Sequence, residues 1–546
     1  MVLRSPKRDA ALILLGALCS HLLSVLAPLA PQAIVISHSV KEHVILESPL
    51  QHGEEPGDSL GTDVLIDEFE SSSENPGWAV SSVGLTVRHT CHVDRPTIAV
   101  LPETTIVEHV PGWTVFRDIY MSNGTLFIVS PLRSSFPETR YMTSTGLPAD
   151  VTPENIAARE PTEWNMDFLT PAEAAQRWGA TPEERRITSV EGNTLLFNDP
   201  PQFLAHYYHF CAELLIGAWS FWTGAAHPNP PPPIHRAIFP HSSASGWRDH
   251  PGFNSYFLRA SFPSLTVEVD IDWVDRINAT SGTDVDRAWH FPYLLLADRS
   301  AAFRGRFCGS QNQRTASEAV DGLIARTKLN TNAAWWRPVR NAVWRFAGVT
   351  GLDMAVTPGS KVQEYQPEDF EETDKITITY ISRQGSRRRL IPEDHDILVK
   401  ELEDLVARKN AQVMLTKGSD GLGGKEWVLN IVQAEKLTKD EQVRLMAQTN
   451  ILLGVHGNGL SHLILMPRTR VSAVIEIFFP GGFAHDYEWT ARALGLRHFG
   501  VWNDTYFTED NTPRVKYPDG FQGSSIPAHG PAIANLIEKR VVRDLS

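Results

Sequence analysis

The sequence predicts an α/β fold built on a parallel sheet, and three observations carry that prediction. Between residues 375 and 501, apolar runs of strand length alternate with stretches of helix length. The loops between them are short and carry helix-capping residues, glycine or proline. The composition is that of a globular protein, with 42% hydrophobic and 21% charged residues. A chain of 546 residues is long enough for two or three domains.

The elements follow in order. Residues 376–381 read as a buried strand, and a polar loop with Arg383, Arg387, Arg388 and Arg389 comes next. Residues 393–409 read as a helix and 411–415 as a strand. Thr438-Lys-Asp-Glu441 fits a capping box, in which each side chain satisfies a free backbone N–H, and opens a helix to about residue 448. A strand at 451–455 runs into His456-Gly-Asn-Gly459, and a short helix at 460–466 stops at Pro467. A strand at 473–478, a helix at 485–494 and a final strand at 497–501 complete the unit. Strands joined through helices pair in parallel, so this unit is Rossmann-like. The earlier half is less regular. Residues 96–101, 125–129, 237–239 and 266–273 are strand-like. Residues 204–222 read as a helix with apolar residues at 3.6 spacing, and 316–326 and 335–346 also read as helical. Pro230 to Pro233 form a stiff surface loop.

Arg4, Lys7 and Arg8 precede an apolar run from residue 10 to 30, just long enough to span a bilayer as a helix. Basic residues before the run favour a cytoplasmic N-terminus. A cleaved signal peptide has the same layout, and either reading sends the body into the secretory pathway. Residues 51–75 are acidic and rich in Ser and Gly, as suits a solvated stem. The organisation expected is a cytoplasmic tail and anchor at 1–31, a stem at 32–90, an N-terminal domain at 91–350, a C-terminal domain at 370–505 and a tail at 506–546. Asn123, Asn278 and Asn503 head N-x-S/T sequons, candidate glycosylation sites in a secreted chain. Cys91, Cys211 and Cys308 allow one disulfide and one free thiol, while Cys19 lies in the apolar run. No CxxC pair offers a structural zinc site. A net charge of −14 argues against nucleic acid as a partner.

Five features carry possible chemistry. His456-Gly457-Asn458-Gly459 joins a strand tip to a helix, where glycines admit a ligand to the backbone and the helix N-terminus attracts an anion; a tight turn is the plainer reading. Arg383 and Arg388 follow another strand tip of the same sheet, and guanidinium groups pair with phosphate oxygens; a solvated basic loop is the alternative. Glu476 sits inside an apolar strand, either against a ribose or at an exposed edge. His209 and Glu213 share a helix face, as an acid–base pair or a structural hydrogen bond. Asp270-Ile-Asp272 is a D-x-D triplet; in a metal-dependent GT-A transferase it would hold a divalent ion, but its alternation with Val267, Val269, Ile271 and Trp273 favours the wet face of a strand. Neither G-x-S-x-G nor H-E-x-x-H occurs.

In their order, Ile381-Ser-Arg383, Gly454-Val-His456-Gly-Asn-Gly-Leu460, Met466-Pro467, Val474-Ile-Glu476-Ile and the Tyr208-His209-Phe210-x-x-Glu213 segment resemble glycosyltransferase family 61, most of all its fungal members, over residues 190–500. Where the common family loop has Ala or Ser, this chain has Asn458. The resemblance implies a GT-B-type fold, with two Rossmann-like domains facing a cleft behind an N-terminal membrane anchor. It implies an inverting transferase that moves xylose or GlcNAc from a UDP-sugar to a glycan or glycoprotein. The UDP-sugar is a co-substrate, and no cofactor or essential divalent metal is expected. Glu213 or His209 would serve the acceptor. Arg383, Arg388, Gly457, Asn458 and Gly459 would hold the diphosphate, His456 a phosphate or sugar, and Glu476 the ribose. The location implied is a Golgi or endoplasmic reticulum membrane, single-pass type II, with the body lumenal. A catalytically silent glycan-binding relative is the reading from another class.

Overall fold

The computed structural model describes residues 101–150, 152–226, 229–282, 285–302, 335–351, 370–415 and 424–542. The anchor, the stem, Cys19, Cys91, Cys308 and the helix expected at 316–326 lie outside them. The described residues fall in one compact unit, Ile98–Ser546. Among them no helix is long and apolar enough to cross a membrane. Cys211 is a buried free thiol. The sequon residues Asn123, Asn278 and Asn503 are all exposed.

Two sheets organise the unit. The first has nine strands: β1 (Thr105–Val110), β2 (Trp113–Ser122), β3 (Thr125–Val129), β4 (Met166–Leu169), β5 (Ile187–Ser189), β6 (Thr194–Phe197), β7 (Arg236–Ile238), β8 (Thr266–Glu268) and β9 (Ala288–Ala297). Their order is β4-β3-β2-β9-β6-β7-β8, with β1 on β2 and β5 on β9. Strands β9, β6, β7 and β8 are mutually parallel, whereas β2 pairs antiparallel with β1, β3 and β9. This sheet is therefore a parallel α/β half extended by an antiparallel meander. Asn123 and Gly124, at φ +49° and +83°, close the β2–β3 hairpin, a two-residue turn that needs left-handed backbone at both positions.

The second sheet contains β10 (Lys375–Ile381), β11 (Glu426–Val432), β12 (Ile451–Val455), β13 (Ala473–Ile477), β14 (Arg497–Trp502) and β15 (Thr505–Phe507). Its order is β11-β10-β12-β13-β14-β15, parallel except for the last pair. Successive side chains alternate between two cores, as the pleat requires. Ile376, Ile378 and Tyr380 face the helices Pro392–Leu415 and Gly530–Val541, while Ile381, Leu452 and Val474 face a core shared with the first sheet. The Arg337–Phe346 helix and its preceding tryptophans tie the halves together. Trp336 Nε1 donates to Ile464 O, Trp344 Nε1 to Leu465 O, and Trp219 Nε1 to Trp335 O.

Four sequence expectations change. Residues 411–415 end the Pro392–Leu415 helix, and the strand beside β10 is β11. That helix keeps burying Leu398, Leu402 and Leu405 on one stripe, which favours its continuation. The strand expected at 266–273 stops at Glu268, because Asp272 Oδ2 accepts the Val269 N–H at 2.8 Å and opens the Asp270–Thr280 helix. Ile271, expected to be buried, is 66% exposed. The single helix expected at 204–222 breaks into a short turn, a π-helical segment Tyr208–Leu215 and an α-helix Ile216–Ala226. The stretch after residue 505 contains β15 and the Gly530–Val541 helix, whose Ile533, Leu536 and Ile537 complete the second core.

Candidate functional site

Open α/β sheets bind ligands beyond the carboxyl ends of their strands, where the strand order reverses. In the second sheet the chain leaves β10 through the Pro392–Leu415 helix on one face and returns to β12 through the Lys439–Ala447 helix on the other. The reversal lies between β10 and β12. Arg383 leaves the tip of β10, and His456-Gly-Asn-Gly459 leaves the tip of β12.

Two guanidinium groups converge there. Arg383 Nη1 and Arg388 Nη1 both donate to the His456 carbonyl, at 3.1 and 2.7 Å. Gly457 has φ +146°, and a Cβ on it would fall on Arg383 Nη1, so only glycine lets the arginine approach. Among the described residues neither arginine forms an ion pair with a carboxylate. Burial pushes the Arg383 guanidinium down, and burial followed by the nearby Arg383 charge pushes Arg388 down to about 10. Arg388 Nε is buried without a hydrogen-bond partner. Two crowded, uncompensated cations favour a bound anion. Arg387 and Arg388 also donate to Gln522 Oε1. Asn458 Oδ1 accepts from Ser461 Oγ at 3.0 Å at the start of the Asn458–Leu465 3₁₀ helix. A Cβ on Gly459 would press within 3.1 Å of Ile381 Cγ2.

Behind the arginines lies a buried histidine–carboxylate chain. His456 Nδ1 is hydrogen-bonded to Glu476 Oε1, and Glu476 Oε2 to His498 Nε2 at 2.7 Å. The register explains the meeting: Glu476 pairs with Gly454 on one side and Gly500 on the other, leaving room for two imidazoles on the same face. Glu476 is fully buried and both its oxygens are taken. The exposed-edge alternative therefore falls, and the oxygens expected at a ribose are engaged by His456 and His498. Burial raises the Glu476 carboxyl and lowers both imidazoles, and Arg388 and Arg383 push His456 further down. The His456 ring is held by Phe478, Phe521 and Tyr487, at 5.2, 5.2 and 5.6 Å.

The first sheet has its own reversal. Helices Tyr208–Leu215 and Phe253–Ser261 cover one face and Asp270–Thr280 the other, so the crevice opens between β6 and β9. Asp199 follows β6 and Arg299 follows β9. Arg299 Nε meets Asp199 Oδ2 at 2.7 Å, its Nη1 lies 3.4 Å from Glu213 Oε1, and its Nη2 donates to the His209 carbonyl at 2.7 Å. Glu213 Oε2 binds His209 Nδ1 at 2.7 Å. The Glu213 side chain is 2% exposed and that of His209 is 23% exposed. Of this pair, expected together on one face, the imidazole is the member that reaches solvent. Burial pushes the Asp199 carboxyl up to about 6 despite Arg299.

The two crevices meet through the π-helical segment. Tyr208 donates to Asp486 O at 2.6 Å, and its ring lies 5.1 Å from Tyr487, which abuts His456. His206, whose ring is 4.9 Å from His209, has a pKa lowered first by burial and then by His209, Arg299 and Arg388, groups from both crevices. Asp270 and Asp272 stand at the end of β8, separated from the β6–β9 crevice by β7. Among the described residues no cluster of three His, Cys, Asp or Glu side chains is arranged to hold an ion. Sequence reasoning missed Asp199, Arg299, His498 and Gln522. The first two carried a signal, a charged residue just past an apolar strand; the others carried none.

Two α/β sheets thus carry a pair of guanidinium groups at one reversal point and a carboxylate-held imidazole at the other. The family model described as Glycosyltransferase 61 matches residues 295–473, from the end of β9 to the start of β13. Over that stretch, about a third of its length, the chain is similar to glycosyltransferase family 61, which supports a glycosyltransferase. The match takes in Arg299, Arg383, Arg388 and the His456–Gly459 loop, whereas His209, Glu213 and Glu476 lie beyond it. No curated protein matches the chain.

Proposed function

We propose that the protein is an inverting glycosyltransferase of the GT-B type, using a UDP-sugar, with xylose or GlcNAc transferred to a glycan or glycoprotein. The carrying observation is the convergence of Arg383 and Arg388 on one carbonyl, with no ion pair to a carboxylate among the described residues. The donor diphosphate fills that role at the β10–β12 crevice, and the acceptor enters from the β6–β9 side. His209 takes the acceptor hydroxyl proton, and the hydroxyl oxygen attacks the anomeric carbon from the face opposite the diphosphate. The bond to the diphosphate breaks, its electron pair stays on the phosphate oxygen, and the two guanidiniums balance the charge. Glu213 holds His209 Nδ1 so that Nε2 faces the hydroxyl, and Arg299 keeps Glu213 in place. His456, locked by Glu476, supports the loop that carries the shared carbonyl.

On this reading the arginines meet the leaving charge and a divalent ion is not essential. Residues 1–31 hold the lumenal body at a Golgi or endoplasmic reticulum membrane, and Asn123, Asn278 and Asn503 accept N-glycans. A thermal-shift screen of the whole chain against UDP- and GDP-sugars tests the proposal, since a cognate donor stabilises the fold by mass action. A shift confined to UDP-sugars, followed by transfer to a glycan acceptor, is expected. A shift without transfer to any glycan acceptor would instead favour the silent glycan-binding reading.

A further inference from the structure

Among the described residues Tyr517 is one of the few large rings left exposed, at 55%, and Phe521 links it to Arg388. Its ring packs edge-on against Phe521 at 5.1 Å, and Phe521 lies 5.2 Å from the His456 ring and 5.9 Å below the Arg388 guanidinium.

The loop that carries Tyr517 is rigid. Lys516 exchanges both backbone hydrogen bonds with Phe483, at 2.9 and 3.1 Å. Phe521 N–H closes a turn on Pro518 O, and Gly520, at φ +94°, lies against Phe479. Phe521 in turn lies against Gly482, where a Cβ would collide with its ring. Gln522, from the same turn, accepts hydrogen bonds from Arg387 and Arg388. An exposed aromatic on a fixed loop retains a hydrophobic face that stacking would cover.

We propose that Tyr517 is the stacking platform for the nucleobase of the donor, and that the 516–522 loop forms the base-recognising wall of the site. This inference rests on the proposed donor site at Arg383 and Arg388. A nucleotide-sugar carries its base and its sugar at opposite ends of the diphosphate. The sugar end must face His209 for transfer, so the base end points away from the first sheet. Tyr517 meets that requirement: its ring partner Phe521, the Arg388 guanidinium over that ring and the Phe483 backbone paired with Lys516 all belong to the second sheet's half.

Calorimetric titration of the full chain with UDP and with inorganic pyrophosphate tests the assignment. Stacking predicts that Tyr517→Ala weakens UDP binding roughly tenfold or more and leaves pyrophosphate binding unchanged. Tyr517→Phe, which keeps the ring, retains wild-type UDP affinity. Arg388→Ala weakens both ligands. Unchanged UDP affinity in Tyr517→Ala overturns the platform while leaving the donor site standing, and so does an equal loss for UDP and pyrophosphate. A wild-type chain that binds neither ligand removes the donor site and the platform together.

Discussion

The two crevices use the same kinds of residue to opposite ends. Between β6 and β9 the charges are paired: Arg299 lies against Asp199 and Glu213, and Glu213 also holds His209. Between β10 and β12 the cations have no ion pair among the described residues: Arg383 and Arg388 share a carbonyl instead of a carboxylate. The first arrangement orients a single imidazole and offers no free cation to an anion. The second attracts an anion, since paired cations in partly buried surroundings gain most from one. A site for a neutral hydroxyl and a site for a diphosphate should differ in this way.

The sharpest break in the comparison is at His209. His209→Ala is expected to lower turnover by about two to four orders of magnitude, the usual weight of a positioned base, with UDP affinity unchanged. Glu213→Gln should cost less, because the amide still reaches the ring. Loss of UDP binding in His209→Ala, measured by titration, would move that imidazole into the donor site. Next comes Gly457→Ala. Its methyl displaces Arg383, so UDP affinity is expected to fall by roughly tenfold or more while the circular dichroism spectrum is retained.

The pH response sharpens the comparison from a third position. His462 is buried where the halves meet, with Tyr207 Oη 3.3 Å from Nδ1 and Gln442 Oε1 2.8 Å from Nε2. Burial lowers it from 6.5 to about 4. The folded state therefore favours the neutral ring. The stability it contributes is complete above pH 6.5 and is lost as pH falls towards 4, by roughly 3 kcal/mol. Thermal melts across that window should show the decline, and His462→Gln should flatten it. If the slope is the same in both proteins, His462 is not its source.

The smallest effect is expected at the D-x-D triplet. Replacing Asp270 and Asp272 with alanine should remove a helix cap worth about 1 kcal/mol and leave transfer intact, with or without EDTA. Abolished transfer in a folded variant would restore the metal-dependent alternative.

Legibility in the sequence followed the distance over which each feature is determined. The 451–455 strand and the Thr438 capping box were readable because a run of apolar residues or a four-residue motif decides them. The end of the 392–415 helix was misread because Ala411-Gln-Val-Met-Leu415 suits either element, and packing decided. At the site, Arg383 and His456 each stood out at a strand tip. Their meeting depends on strand order, which no local pattern contains. Glu476 attracted notice as a carboxylate in an apolar strand, but its buried role needs Gly454, Gly500 and His498 on neighbouring strands. The π-helical winding of Tyr208–Leu215 likewise left no trace in its apolar spacing.

The central claim is that uncompensated guanidinium charge at the β10–β12 crevice holds the donor diphosphate. Titrating UDP in EDTA against the wild-type chain and the Arg383→Ala/Arg388→Ala double variant tests it directly. Saturable wild-type binding that the double variant loses is the result expected. Equal affinity in the two proteins would contradict the claim.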